Sequence, residues 1–258
     1  MARFLCLAGA FGNVDKFKVQ LAPILNELES DGTATFHFSH GRHKAVPPPG
    51  YEDFFGGPPF FRWMEESKDP GTVDGLERIR DFPSGASPED TLRLFNPLGS
   101  SEGLAVTAAE ALEHLIGIIK EHGPFDGIIG YSEGALIAGT LIMKEQELRE
   151  TSDYNNTFKL AMFFGGWPPL KPDLKGFLLA DETEMQIPVA TCHVIGSLDP
   201  YLDGSMALFN VCDPDTAVLF DHAKGHTLPR EKDTVKELCD VIRDMIADVR
   251  KRELEAEP

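Results

Sequence analysis

Apolar positions along this 258-residue chain follow two alternating rhythms. Short unbroken apolar runs suit strands buried on both faces. Between them lie longer stretches whose apolar residues recur with the spacing of one helix face. The first run, residues 3–8, stops at Gly9. Phe17, Leu21, Ile24, Leu25 and Leu28 then predict a helix over about 15–29, with Pro23 marking a kink or a late start. Thr33 to Phe38, rich in β-branched and aromatic residues, predicts a second strand. Later, Leu104, Ala108, Leu112, Leu115 and Ile119 line a helix that Gly123-Pro124 closes. Ile128-Ile129 follow as a buried strand, with a helix starting near Glu133. Phe158–Phe164, Val189–Ile195 and Thr216–Phe220 read as further strands, with a helix over Gly204–Phe209 between the last two. Val235, Leu238, Ile242, Met245, Ile246 and Val249 make a final helical stripe, and the charged tail 251–258 is expected to fray. This alternation predicts one α/β domain over 1–258: a doubly wound, mostly parallel sheet with helices on both faces. Ligands of such sheets sit at the carboxyl ends of the strands.

Residues 39–100 break the rhythm. Pro47-Pro48-Pro49-Gly50, Gly56-Gly57-Pro58-Pro59 and Pro83-Ser84-Gly85 interrupt regular structure, yet Tyr51, Phe54, Phe55, Phe60, Phe61, Trp63 and Phe82 call for burial. A linker would be poor in aromatics. The segment therefore reads as an irregular lid or pocket wall, with Phe61 and Trp63 as substrate-binding candidates.

Composition narrows the class. A formal charge of −18 argues against nucleic acid and anionic membrane surfaces as partners. No long uncharged apolar span is present, and the apolar N-terminus is too short for a secretory signal and runs straight into Gly9. Cys6, Cys192, Cys212 and Cys239 form no C-x-x-C pair and read as buried reduced thiols of a cytoplasmic protein.

The chemistry is concentrated after three predicted strands. Gly130-Tyr131-Ser132-Glu133-Gly134 is a Gly-x-Ser-x-Gly pattern between a strand and a helix, the setting in which a strained turn lifts a serine hydroxyl above a sheet. A serine nucleophile needs a base, and the base an orienting acid. On an α/β-hydrolase sheet the chain order is Ser, acid, His. Asp199 follows the strand that ends at Ile195, and His226 follows the strand that ends near Phe220. Asp203 and His222 compete for these roles. Asp199 is preferred for its place next to the strand end and Pro200, and His226 for its loop position before the last helix. The Glu133 amide, at a helix start, and the Ala10 amide, in the glycine-rich loop after the first strand, are the oxyanion donors expected, with Phe11 second to Ala10. That loop, Gly9-Ala10-Phe11-Gly12-Asn13-Val14, lacks the G-x-G-x-x-G of a dinucleotide site.

Phe125 to Ala135, Gly196-Ser197-Leu198-Asp199-Pro200 and Gly225-His226 together resemble the fungal FSH family of serine hydrolases, and the resemblance covers nearly the whole chain. It implies an α/β-hydrolase that cleaves esters or thioesters without cofactor or metal, with Ser132, Asp199 and His226 as the triad. It also implies kinship with polyketide-pathway thioesterases, hence the carrier domain of a polyketide synthase as a possible partner. Two positions depart from the family pattern: Ala8-Gly9 stands where His-Gly is usual, and Glu133 where Gln is usual. The first leaves the backbone donor intact. The second puts a carboxylate beside the nucleophile.

Three other features stand out in the chain. His37, His40 and His43 straddle a strand end and a loop rather than one helix face, a poor metal arrangement. Arg42-His43-Lys44 is a basic cluster in an acidic chain, either solvated or a docking point for an acidic carrier. Trp167, beside prolines, is a further pocket candidate alongside Phe11. A hydrolase fold used only to bind a small ligand, or a lyase or cyclase using the same pocket, are the rival readings.

Overall fold

A computed structural model describes residues 1–47, 56–65, 79–95 and 102–256. The six-stranded sheet has the order β2-β1-β5-β6-β7-β8, built from Ala2–Leu7 (β1), Ala34–Ser39 (β2), Gly127–Tyr131 (β5), Leu160–Phe164 (β6), Ala190–Ile195 (β7) and Ala217–Asp221 (β8). Every pairing within it is parallel. A separate antiparallel pair, His43–Lys44 (β3) and Phe61–Arg62 (β4), comes from the irregular region.

The apolar strand runs divide by alternation between two cores. Leu5, Leu7, Ile128, Ala161 and Phe163 face one side. There they meet the helices Glu102–His122 (α3), Glu133–Thr151 (α4) and Leu202–Asn210 (α5). Phe4, Cys6, Ile129, Met162, Phe164 and Val194 face the other side, against Val14–Ser30 (α1) and Lys232–Ala256 (α6). Each such side chain, fully buried, contributes about 1.5–3 kcal/mol, so residues facing both ways hold the layers together.

The helix stripes hold as read. α1 buries Phe17, Leu21, Ile24, Leu25 and Leu28, continues through Pro23, and is capped by Asn13 Oδ1 accepting from Lys16 N. α6 buries Val235, Leu238, Ile242, Met245 and Ile246. Its charged end, expected as a tail, is helical over most of its length. The helix runs to Ala256, because Arg, Lys and Glu propagate a helix well while remaining exposed.

The described residues of the region 39–100 include regular structure. They contain a short helix, Pro88–Phe95 (α2), which packs on α5. Thr91 Oγ1 donates to Asp203 Oδ2 at 2.6 Å, and Asn210 Nδ2 donates to Glu89 Oε1 at 2.8 Å. Tyr51, Phe54 and Phe55 lie outside the described residues. The four cysteines are free and buried, and burial pushes the Cys192 and Cys212 thiols up to about 12, so neither is a ready nucleophile. Among the described residues, no helix is long and apolar enough to cross a membrane.

Candidate active site

The chain leaves β1 for β2 on one side and returns to β5 on the other, so β1 and β5 flank the point where the winding reverses. Ser132 stands just past β5 at that point. Its backbone takes φ 53° and ψ −118°, a conformation that costs a non-glycine residue about 1–3 kcal/mol and persists only when its surroundings enforce it. The enforcement is visible. Ser132 N donates to Phe164 O at 2.9 Å, and Ala135 N donates back to Ser132 O at 3.0 Å. A Cβ on Gly130 would lie 2.4 Å from Ala135 Cα, and one on Gly134 would lie 2.4 Å from Leu7 O. Both glycines of the motif are therefore required by close backbone approach.

Asp199 and His226 meet across two loops. Asp199 Oδ2 lies 2.7 Å from His226 Nδ1, and only 2% of the aspartate side chain is exposed. A carboxylate can only accept, so Nδ1 carries the proton and Nε2 is left as the basic nitrogen. The other carboxylate oxygen, Oδ1, accepts from Tyr201 N at 2.8 Å, which fixes the acid's orientation. The two loops are knit together by Leu198 N donating to Lys224 O at 3.0 Å and Ser197 N donating to Asp221 Oδ1 at 2.9 Å. His226 lies over the end of β6: a Cβ on Gly165 would be 2.9 Å from its Cε1. Tyr131 stacks on the imidazole at 5.4 Å and donates its hydroxyl to His226 O at 2.9 Å. Burial holds that phenol well above its ordinary range, so it remains a donor. The imidazole is thus gathered beside the elbow that carries Ser132.

The competing residues are occupied elsewhere. Asp203 accepts from Thr91, as above. His222 is buried, desolvation holds its pKa down, and its Nδ1 has no protein partner. His37 packs against His122 and Phe125, His40 against Phe61, and His43 lies between Glu65 and Glu110 at 3.7 and 3.6 Å. The three do not converge, and no metal-holding cluster occurs among the described residues. Arg42 and Lys44 are exposed, and Arg42 has acidic neighbours: with His43 it borders a cavity of about 810 Å³ together with Glu110, Glu113 and Glu121.

The candidate pocket aromatics part ways. Phe11 is buried, with φ 59°, in the loop after β1, and the Arg62 guanidinium lies 5.9 Å from its ring centre. Phe61 is half-buried and bridges Gly12 of that loop. Trp63 is packed into the core. The residue is 1% exposed, its indole donates to Ala8 O at 2.7 Å, and the cavity it borders is not lined by Ser132, Asp199 or His226. The reason is a bond absent from the local sequence: Glu133 Oε2 accepts from Trp63 N and draws the segment inward. Trp167 instead joins a cluster that the chain assembles from four places. Phe82 lies 5.5 Å from Trp167 and 5.4 Å from Tyr201, Phe95 lies 5.0 Å from Trp167, and Tyr201 sits edge-on to His226 at 5.3 Å. Tyr131, Tyr201 and Arg62 were missed by sequence reasoning. Tyr131 fills a variable place in the motif, and Tyr201 and Arg62 acquire their contacts only through tertiary packing.

This sheet, with its nucleophile elbow, is an α/β-hydrolase fold. The structure of Arabidopsis thaliana SOBER1 shares it at a TM-score of 0.51 and 15% identity, over 95% of this chain and 99% of that one. The family model of the serine hydrolases designated FSH1 matches residues 1–238, and the chain belongs to that family. Similar proteins include the esterase FPY3 of Fusarium mangiferae, 27% identical over 95% of this chain and 96% of that one. The esterase FUS5 of Gibberella moniliformis is 26% identical over 93% and 85% respectively. The hydrolase phiM of Talaromyces stipitatus is 25% identical over 89% and 81%. The chain is a serine hydrolase of the esterase type.

Proposed function

We propose that Ser132, His226 and Asp199 form a catalytic triad that hydrolyses an ester or thioester through an acyl-enzyme. The observation that carries this reading is the 2.7 Å Asp199–His226 pair held beside the strained Ser132 elbow. His226 Nε2 removes the proton as Ser132 Oγ attacks the acyl carbonyl. The oxyanion of the tetrahedral intermediate is held by the amides of Ala10 and Glu133. The intermediate collapses, His226 returns the proton to the departing alcohol or thiol, and the acyl group remains on Ser132. Water, deprotonated by His226, then attacks the acyl-enzyme, and the acid and the free serine are released. Asp199 keeps the proton on Nδ1 and stabilises the imidazolium at each transfer.

The acyl group lies toward the cluster of Trp167, Phe82 and Tyr201, which reaches the imidazole through Tyr201; this favours an apolar chain or an aromatic acyl group. The finer reading is a thioester presented by the carrier domain of a polyketide synthase. The resemblance to polyketide-pathway thioesterases supports it, and the acidic surroundings of Arg42 lend it no steering patch.

Hydrolysis of a series of p-nitrophenyl esters and acyl thioesters, with wild type and Ser132→Ala, tests the chemistry. Loss of about 10⁴-fold or more in kcat is expected for the variant, since triad members act as a unit. Undiminished turnover by Ser132→Ala would refute it. Faster cleavage of an acyl group on a carrier domain than on a small thiol would support the finer reading, and equal rates would remove it.

A further inference from the structure

The side chain that follows the nucleophile has no part in the steps above, yet it is buried. A carboxylate in the first turn of a helix is ordinarily solvated there and favoured by the helix dipole. Only 9% of the Glu133 side chain is exposed. Its Oε2 accepts from the backbone N–H of Trp63 at 2.9 Å, its Oε1 lies 3.4 Å from Arg62 Nε, and the Met64 amide also donates to it. Burial pushes the carboxyl up, while the Arg62 charge and the amide bonds pull it back toward the ionised form.

The segment that Glu133 holds is itself bonded to the loop after β1. Trp63 Nε1 donates to Ala8 O at 2.7 Å, Phe61 bridges Gly12, and Asn13 Nδ2 donates to Pro59 O at 2.9 Å. That loop lies directly against the elbow: a Cβ on Gly9 would stand 3.3 Å from Ser132 Cβ, and one on Gly134 would stand 2.6 Å from Ala8 O. One bracket therefore runs from Glu133, whose amide is one of the two assigned to the oxyanion, through Arg62 and Trp63 to Ala8, two residues before Ala10, whose amide is the other.

We infer that Glu133 is a positioning residue: its carboxylate, acting through Trp63 and Arg62, sets the spacing of the two oxyanion amides. The inference rests on the triad reading above. Charge gives a second reason for the arrangement. A bare carboxylate beside the nucleophile would oppose the negative charge that grows on the substrate oxygen, and the Arg62 guanidinium offsets it. An interaction that fixes the donors is felt where the oxyanion forms, in the transition state, so its loss lowers kcat and leaves KM nearly unchanged.

Steady-state kinetics on one p-nitrophenyl ester test this, together with melting temperatures. Glu133→Ala is expected to lower kcat by about 10- to 100-fold, short of the loss seen when an oxyanion donor is deleted outright, with KM within about 3-fold. Glu133→Gln keeps one carbonyl acceptor for the Trp63 amide and is expected to recover most of that loss. Trp63→Phe removes the indole N–H at the far end of the bracket and is expected to lower kcat by about 10-fold, again without a matching rise in KM. The double variant Trp63→Phe/Glu133→Gln should fall short of the product of the single effects, since both cut one bracket. Wild-type kcat in folded Glu133→Ala overturns the inference, as does a Gln variant no better than Ala, or a KM rise that accounts for the loss. If Glu133→Ala does not fold, wild-type kcat in both Glu133→Gln and Trp63→Phe overturns it. Any of these results, obtained while Ser132→Ala is inactive, leaves the nucleophile assignment standing; activity in Ser132→Ala would remove the reading on which the bracket depends.

Discussion

Asp199 and Asp203 stand on either side of the start of α5, and their surroundings separate them. Asp199 is buried and shares its two oxygens between His226 and the Tyr201 amide. Asp203 serves the packing of α2 by accepting from Thr91. Asp199→Asn is therefore expected to keep the fold and to lower kcat by up to about 10⁴-fold, because an amide in place of the carboxylate no longer fixes the imidazole tautomer. Asp203→Asn is expected to cost about 1 kcal/mol of stability or less and to spare turnover. Kinetics and thermal melts of the two variants check this, and the opposite ranking would move the acid to Asp203. Both candidates were visible in the sequence because strand ends and chain order restrict where an acid can stand. The Glu133 side chain was not legible, since the amide it binds lies 70 residues away in the chain. The burial of Trp63 was not legible for the same reason: a tryptophan among prolines suits a pocket wall or a core equally, and the bond that draws it inward is long-range.

At the scale of elements, the strands and long helices were legible because each buries a continuous run or stripe. α2 was not. Of its buried residues, Glu89 and Thr91 are polar, and only their partners Asn210 and Asp203 make that burial tolerable. β3 and β4 span two residues each, too few for alternation to show. The aromatic cluster that α2 completes is the part of the irregular region expected to read the acyl group. Phe82→Ala is expected to change the ratio of kcat/KM between long and short esters by about 10-fold or more, with a smaller effect on melting temperature. Equal losses on both esters with a large drop in melting temperature would instead make Phe82 ordinary core.

Over the whole molecule, the formal charge of −18 bears on how substrates arrive. Arg42, which with Lys44 makes the basic pair, is accompanied by acidic residues of α3, so no strongly positive patch offsets the field there. An anionic thioester should therefore meet net repulsion, and kcat/KM for it should rise as salt screens charges beyond about 10 Å at 0.1 M, while a neutral ester stays unaffected. A fall with salt would identify local steering by the basic pair.

The nucleophile is tested most directly by trapping it. A fluorophosphonate probe should add once to the protein, and peptide mapping by mass spectrometry should place the adduct on Ser132. His226→Ala should slow the labelling, and Ser132→Ala should abolish it. An adduct on any other residue, or labelling of Ser132→Ala at the wild-type rate, would contradict Ser132 as the residue through which this protein acts.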